Sequence, residues 1–233
     1  MKIAALALAA AVSSVASASF VEFYTVKTQT STAGTNLDVY VLFARFSGAT
    51  DTVVNAFNFN RLDSGTTNIF YHKDNAYGNS GALTKSAGTW NPSQTGSVTL
   101  NRPFDSFLTI GGNATGTNST NADPSWPGAD SWNRADVPNG ANVGWFNSNP
   151  PNLQGRVGVG SGAAANPADA VRLGQFVVDR DTFGGTWNLK VGYTDGVSTN
   201  VLFAETSFNL GVIPAPGAMA LLGLAGLAGR RRR

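Results

Sequence analysis

The sequence predicts an all-β fold, an antiparallel β-sandwich of jelly-roll or immunoglobulin-like type carrying a long Gly/Asn/Pro-rich loop excursion. Three observations carry that expectation. Short runs of Val, Phe, Tyr, Leu and Thr recur along the body, each closed by a cluster of Gly, Asn, Asp or Ser. No segment keeps an apolar period of 3.6 over three turns. Only 13% of residues are charged while glycine numbers 27, so the chain lacks the Glu, Lys, Ala and Leu runs of a helical bundle.

Phe20 to Val26 opens the body. Leu37 to Phe46 is a nearly continuous apolar run with Asp38 and Arg45 near its ends, the pattern of a central strand buried on both faces. Val53 to Phe59 follows, and Ile69-Phe70-Tyr71 comes after the Asp63-Ser64-Gly65 turn. Ser97 to Leu100 and Phe107 to Ile110 read as the next two strands, with Pro103 between them, and Val157 to Val159 as a short one. Ala170 to Val178 is a further strand. Trp187, Leu189, Val191 and Tyr193 alternate with Asn188, Lys190 and Gly192, a half-buried strand with one solvated face. Asp195-Gly196 then turns the chain into Val201 to Phe208, a hairpin.

The stretch from Gly111 to Pro167 breaks this rhythm. It is rich in Gly, Asn and Pro, yet it holds Trp126, Trp132, Trp145 and Phe146. A structureless loop of that length is uncommon inside a compact domain, and disordered segments are poor in aromatics. An excursion ordered by its own contacts is expected.

Both ends carry address signals. Met1-Lys2-Ile3, the apolar run Ala4 to Val12 and the small-x-small site at Ala16 and Ala18 form a three-part secretory signal, with cleavage expected after Ala18. At the other end, Pro214-Ala215-Pro216 precedes an Ala, Leu and Gly segment from Gly217 to Gly229, followed by Arg230, Arg231, Arg232 and Arg233. As a helix that segment spans about 20 Å, short of a ~30 Å hydrocarbon core, and the arginines favour the cytoplasmic side. Such a tail makes transient membrane contact and is a poor permanent anchor, although a simple tail anchor is the rival reading.

The arrangement of Pro214, Pro216, the apolar segment and the arginine cluster resembles the PEP-CTERM sorting signal over the last 22 residues. Ala215 stands where the name-giving pattern has Glu. The resemblance implies export by the secretion machinery, removal of the tail by an exosortase-like membrane enzyme, and a final address at the cell surface, in the envelope or in an extracellular matrix with polysaccharide. The organisation expected is a signal peptide at 1–18, a sandwich domain at 19–211 and a sorting signal at 212–233.

Composition narrows the partners. The whole chain is at +2, but removing Lys2 and the four terminal arginines leaves 11 basic residues against 14 acidic ones, about −3. No basic patch remains to neutralise phosphates, so nucleic acid is not an expected partner. Cysteine is absent, which removes disulfides, thiol nucleophiles and cysteine metal sites together.

Chemistry-bearing residues are sparse. His72 is the sole histidine, expected at a surface strand edge, and no Gly-x-Ser-x-Gly elbow surrounds a serine. Glu22 and Glu205 are the only glutamates, and Asp179 and Asp181 join the loop aspartates. Two carboxyl groups are all that a glycosidase needs, which keeps a secreted glycoside hydrolase as the third reading. No catalytic residue is assigned. Asp123, Asp130 and Asp136 supply the hard oxygen ligands that calcium takes, solvated loop carboxylates being the alternative.

Trp126, Trp132 and Trp145, with Asn133, Asn142 and Asn147, are the residue types of a sugar-binding surface, rings for the apolar sugar face and amides for its hydroxyls. Their alternative is a hydrophobic cluster pinning the loop from within. Trp90 and Trp187 read as structural. The function expected is therefore an exported structural surface protein without catalytic activity, with a carbohydrate-binding module as the alternative.

Overall fold

The computed structural model describes residues 19–32, 34–63, 69–72, 87–90, 104–112, 119–123, 133–135, 143–161, 165–182, 184–196 and 200–211, with backbone alone at 87–89 and 133–135. The described residues form a β-sandwich. Its strands in chain order are β1 (Phe20–Thr32), β2 (Thr35–Phe46), β3 (Thr52–Arg61), β4 (Ala87–Thr89), β5 (Phe107–Leu108), β6 (Thr120–Ala122), β7 (Asn133–Ala135), β8 (Val143–Asn147), β9 (Ala170–Asp179), β10 (Gly185–Thr194) and β11 (Leu202–Leu210). One four-stranded sheet has the order β1-β2-β9-β5, and a five-stranded sheet has the order β11-β10-β3-β8-β6. β4 and β7 pair separately. Every pairing is antiparallel.

β2 is the doubly buried strand its composition predicts. Tyr40, Leu42, Ala44 and Phe46 face the main core, while Leu37 and Val39 join Val177 in a second cluster covered by Tyr71 and Phe104. The segment around Ile69-Phe70-Tyr71 departs from expectation. It makes no strand: the Tyr71 amide donates to the Val177 carbonyl at 2.8 Å, and Ser106 donates to the Tyr71 carbonyl at 3.0 Å. Phe70 drops into the core from this short crossing. Val157 to Val159 is likewise a turn, fixed by Val157 donating to the Asp51 carbonyl at 3.0 Å. The strand expected at Ser97 to Leu100 lies outside the described residues.

β3 positions the core. Between Asn60↔Asn188 and Phe57↔Lys190, and again between Asn55↔Gly192 and Val53↔Tyr193, it carries one residue more than β10, so it holds two β-bulges. At the first, Asn58 takes φ 55°, a left-handed conformation that asparagine tolerates better than most residues. The inward residues of β3 therefore fall at a spacing of three: Val53, Ala56 and Phe59, each fully buried. The Phe59 ring meets Trp187 at 4.9 Å, Phe176 at 5.4 Å, Trp145 at 5.5 Å and Phe208 at 6.4 Å.

The excursion from 111 to 167 is tied down by side-chain amides. Gln154 donates to the Ile110 carbonyl at 2.6 Å and accepts from the Ser119 amide at 3.0 Å. Asn166 donates to the Arg156 carbonyl at 3.0 Å and accepts from the Arg172 amide at 3.1 Å. Gly111, at φ 71°, is the close approach: a Cβ there would sit 1.8 Å from the Gln154 carbonyl oxygen. These bonds satisfy backbone groups that the buried loop would otherwise strand. The described parts of the excursion are thus stitched to the sandwich, and β6 and β8 join the five-stranded sheet.

One carboxylate lies enclosed at an end of the sheets. Asp38 has no exposed surface and receives the Lys27 ammonium at 2.7 Å, the Asp181 amide at 2.9 Å and the Gln29 amide at 3.0 Å. Burial pushes its carboxyl up, but the Lys27 hydrogen bond, then those of Asp181 and Gln29, outweigh it and hold the group below the usual carboxylate range. The ionised form therefore stabilises the fold above the ordinary aspartate range, and that contribution is lost as pH falls through the depressed value. Asp51 runs the other way, because burial raises its carboxyl and favours the protonated folded form.

Two outcomes are expected. Phe59→Ala leaves a cavity ringed by aromatics and destabilises the chain by about 3–5 kcal/mol in urea unfolding; a change below about 1 kcal/mol would remove Phe59 from the centre of the core. Asp38→Asn destabilises by about 2 kcal/mol at neutral pH through loss of charge-assisted bonds, and the difference from the parent shrinks as pH falls below 4. Melting curves whose separation is the same at pH 3 and pH 7 would refute the Asp38 assignment.

Candidate functional site

The five-stranded sheet turns one face to the core and the other outward, and the outward face carries the groove of interest. In β10 the inward residues are Trp187, Leu189, Val191 and Tyr193, which leaves Asn188, Lys190 and Gly192 outside. Register extends this alternation across the sheet. One row runs Phe203↔Gly192↔Asn55↔Phe146↔Asn121 through all five strands. The next runs Glu205↔Lys190↔Phe57, reaching Gly144, whose carbonyl accepts from the Asp123 amide at 2.8 Å.

Two glycines set the floor. A Cβ on Gly192 would sit 2.2 Å from Asn55 Oδ1 and 3.1 Å from the Phe203 ring. A Cβ on Gly144 would sit 2.5 Å from the Ala56 carbonyl oxygen and 2.9 Å from Phe57. Side chains of the neighbouring strands close over bare backbone at Gly192, and at Gly144 the β3 backbone itself makes the close approach. The result is a groove of about 460 Å³ lined by Asn55, Phe57, Asn58, Asp123, Phe146 and Phe203, with Ala56 and Trp145 beneath. That volume lies in the ~300–1,000 Å³ range of small-ligand sites.

Three phenylalanines give the groove its apolar surface. Phe203 is 56% exposed and Phe146 37%. Phe57 meets Phe203 edge-on at 5.9 Å, and the Lys190 ammonium lies 5.4 Å from the Phe57 ring centre and 5.5 Å from that of Phe203. Lys190 is matched by Glu205 at 3.7 Å. The Asn188 amide, then that of Asn58, holds the Glu205 carboxyl below its usual range, so it stays ionised. The charges of this patch are answered within it. Asn55 differs: its carbonyl oxygen is enclosed with no hydrogen-bond partner.

Trp145 presents no ring face to the surface. It is 1% exposed, its ring packs edge-on to Phe59, and its indole N–H donates to the Thr109 carbonyl at 2.9 Å. On β8 it alternates inward with Val143 while its neighbour Phe146 faces out. Asn147 is 4% exposed and serves the loop, donating to Asn152 Oδ1 at 3.3 Å and accepting from the Asn149 amide at 2.9 Å. Asn133 lies on β7, paired with Thr89. Asp123 is half-buried and lines the groove. Trp126, Trp132, Asn142, Asp130 and Asp136 lie outside the described residues, as do Ala16, Ala18, Pro214, Pro216, Arg230, Arg231, Arg232 and Arg233.

His72 corrects a second expectation. It is buried at 2% exposure, not set at a surface edge, with Nδ1 3.6 Å from Asp105 Oδ1 and its ring edge-on to Trp90 at 4.6 Å. A strand bridge at the margin of the core, rather than a strand end, draws it inside. Among the described residues no group of three His, Asp or Glu is placed to hold a metal ion, and no helix is long and apolar enough to cross a membrane.

Sequence reading missed Phe57, Phe203 and Asn55. The signal was present for one of them. Phe203 shares the outward parity of Glu205 and Ser207, so an aromatic sits on a strand face that is otherwise polar, opposite Gly192. Phe57 and Asn55 carried no such mark, because the bulges in β3 break its alternation. No family model matches the chain, no curated protein matches it, and no solved structure matches it.

Trp145→Phe keeps the ring and removes the donor to Thr109, so a loss of about 1–3 kcal/mol in unfolding free energy is expected. An unchanged midpoint would mean that the indole N–H has no buried acceptor.

Proposed function

We propose that the chain is an exported, envelope- or matrix-associated structural surface protein whose sandwich has no catalytic activity. The observation that carries the reading is the fit between the two address signals and the limits of the sheets. β1 begins at Phe20 and β11 ends at Leu210, and the two sheets they belong to pack on one core, so the body expected at 19–211 carries a sandwich of its own. Ser19, the first residue after the expected cleavage, already belongs to the fold: its carbonyl accepts from the Ser47 amide at 2.7 Å.

The placement of the polar groups supports a body without catalysis. His72 and Asp105 are both enclosed at 2% exposure. Asp123 and Glu205 share the groove face but lie four strand spacings apart, roughly 19 Å, against the ~5–10 Å over which paired carboxyl groups hydrolyse a glycoside. A second reading, a carbohydrate-binding module, is favoured by the groove on the five-stranded sheet and no longer by Trp145.

The test is the mass of the mature protein. In a host with an exosortase-like enzyme, the chain is expected outside the cytoplasm, beginning at Ser19 and lacking Arg230 to Arg233. A chain recovered whole from the cytoplasm would sink the proposal. Recovery from the membrane with the tail intact would replace processing by simple tail anchoring.

A further inference from the structure

We infer that the outer face of the five-stranded sheet is a binding site for a neutral, extended oligosaccharide, which lies across the strands over Phe203, Phe57 and Phe146. The site would stand whether or not the two ends of the chain are removed. It goes beyond a purely structural role.

The shape comes first. Phe203 and Phe146 occupy one register row, separated by β10 and β3. Three strand spacings put their Cα atoms about 14 Å apart, with Phe57 between them in the neighbouring row. That is longer than one sugar ring, so the apolar track suits a chain of sugars. Asn55 and Phe203 fill the space over Gly192, and β3 fills that over Gly144, so the floor between the rings is closely packed.

Chemistry selects the ligand. The electron-rich faces of exposed phenyl rings attract the weakly positive C–H faces of a pyranose. Hydroxyl groups on the sugar rim need donors and acceptors, and Asn55, Asn58 and Asp123 line the groove to provide them. Of these, Asn55 has its Oδ1 turned in against Gly192 and enclosed, so that atom takes no part in binding.

Charge argues for neutrality. Lys190 is answered by Glu205 and by two rings, and Glu205 by Asn58, Asn188 and Lys190. Asp123, a charged residue on the lining, is itself a carboxylate. No described cation on this face is left to hold an anionic polymer. A protein partner fits less well, because stable protein interfaces deplete charge at their centre and bury about 800 Å² per partner, whereas here an ion pair sits beside the rings.

Affinity electrophoresis of the full-length chain tests the site, with gels containing soluble β-glucan, mannan, xylan or galactan, and polygalacturonate as the acidic comparison. At least one neutral polymer is expected to retard the chain. Phe203→Ala and Phe146→Ala should each weaken that retardation at least tenfold while the melting temperature stays within about 2 °C, since both rings are exposed. Asp38→Asn, on the four-stranded sheet, should lower the melting temperature and leave retardation intact. The free monosaccharide should compete far more weakly than its oligomer.

Failure takes distinct forms. No retardation by any neutral polymer would overturn the assignment, as would retardation that survives both phenylalanine substitutions. Retardation by polygalacturonate alone, abolished by salt, would replace it with charge-driven binding. Sedimentation in which Phe203→Ala turns a dimer into a monomer, with no glycan retardation, would make the face a contact between copies. None of these results bears on the mature ends, so the two readings fail independently.

Discussion

The burial of Phe59 is the contact on which the rest of the structure depends. A chain without cysteine has no covalent tie between its sheets, so the sandwich is held by apolar burial. Aromatic residues bury about 150–250 Å² each and gain further from edge-on and offset contacts. Phe59 gathers rings from both sheets: Trp187, Trp145 and Phe208 from its own, and Phe176 of β9 from the other. Trp90 and Phe70 extend the same cluster through Phe176 and Trp187.

The distortion that seats Phe59 also makes the outer groove. An unbulged strand would send alternate residues to each face, and Ala56 and Phe59 could not both point inward. The extra residue at Asn58 resolves this, and it twists the strand locally. Its consequence on the other side is that Phe57 and Asn58 both stand outward beside Gly144. Core packing and surface shape are therefore coupled through one backbone irregularity. A single left-handed asparagine is a small strain to set against a fully buried aromatic cluster.

The long excursion obeys the same accounting. Its described parts are not a second core: β6 and β8 join the five-stranded sheet, and side chains of Gln154, Asn166 and Thr120 bond backbone groups of the turns around them. Thr120 accepts from the Ile110 amide at 2.8 Å, within reach of the Gln154 amide. Trp145 then anchors it from within the main core. The abundance of asparagine in a cysteine-free loop acquires a physical reason here: side-chain amides both donate and accept, so each can satisfy two stranded backbone groups.

What the sequence determined by itself was the class of fold and most of the long strands. β2, β9, β10 and β11 were legible because their patterns are local: a run buried on two faces, or strict alternation beside a turn. The short strands β4, β6, β7 and β8 were not, since three to five residues carry too little pattern to stand out in a Gly- and Asn-rich stretch. Among the described site residues named from sequence, Asp123 lines the groove and Trp145 lies beneath it. Trp145 and Asn147 look like binding residues in a linear reading, and nothing local reveals that β8 inserts beside β3 and turns them inward. Register decided that. The groove of Phe203, Phe57 and Phe146 joins three strands distant in the chain, aligned by pairing and by bulges that shift parity. Such alignment is a property of the assembled sheet, because a one-residue shift in one strand moves every side chain after it to the opposite face.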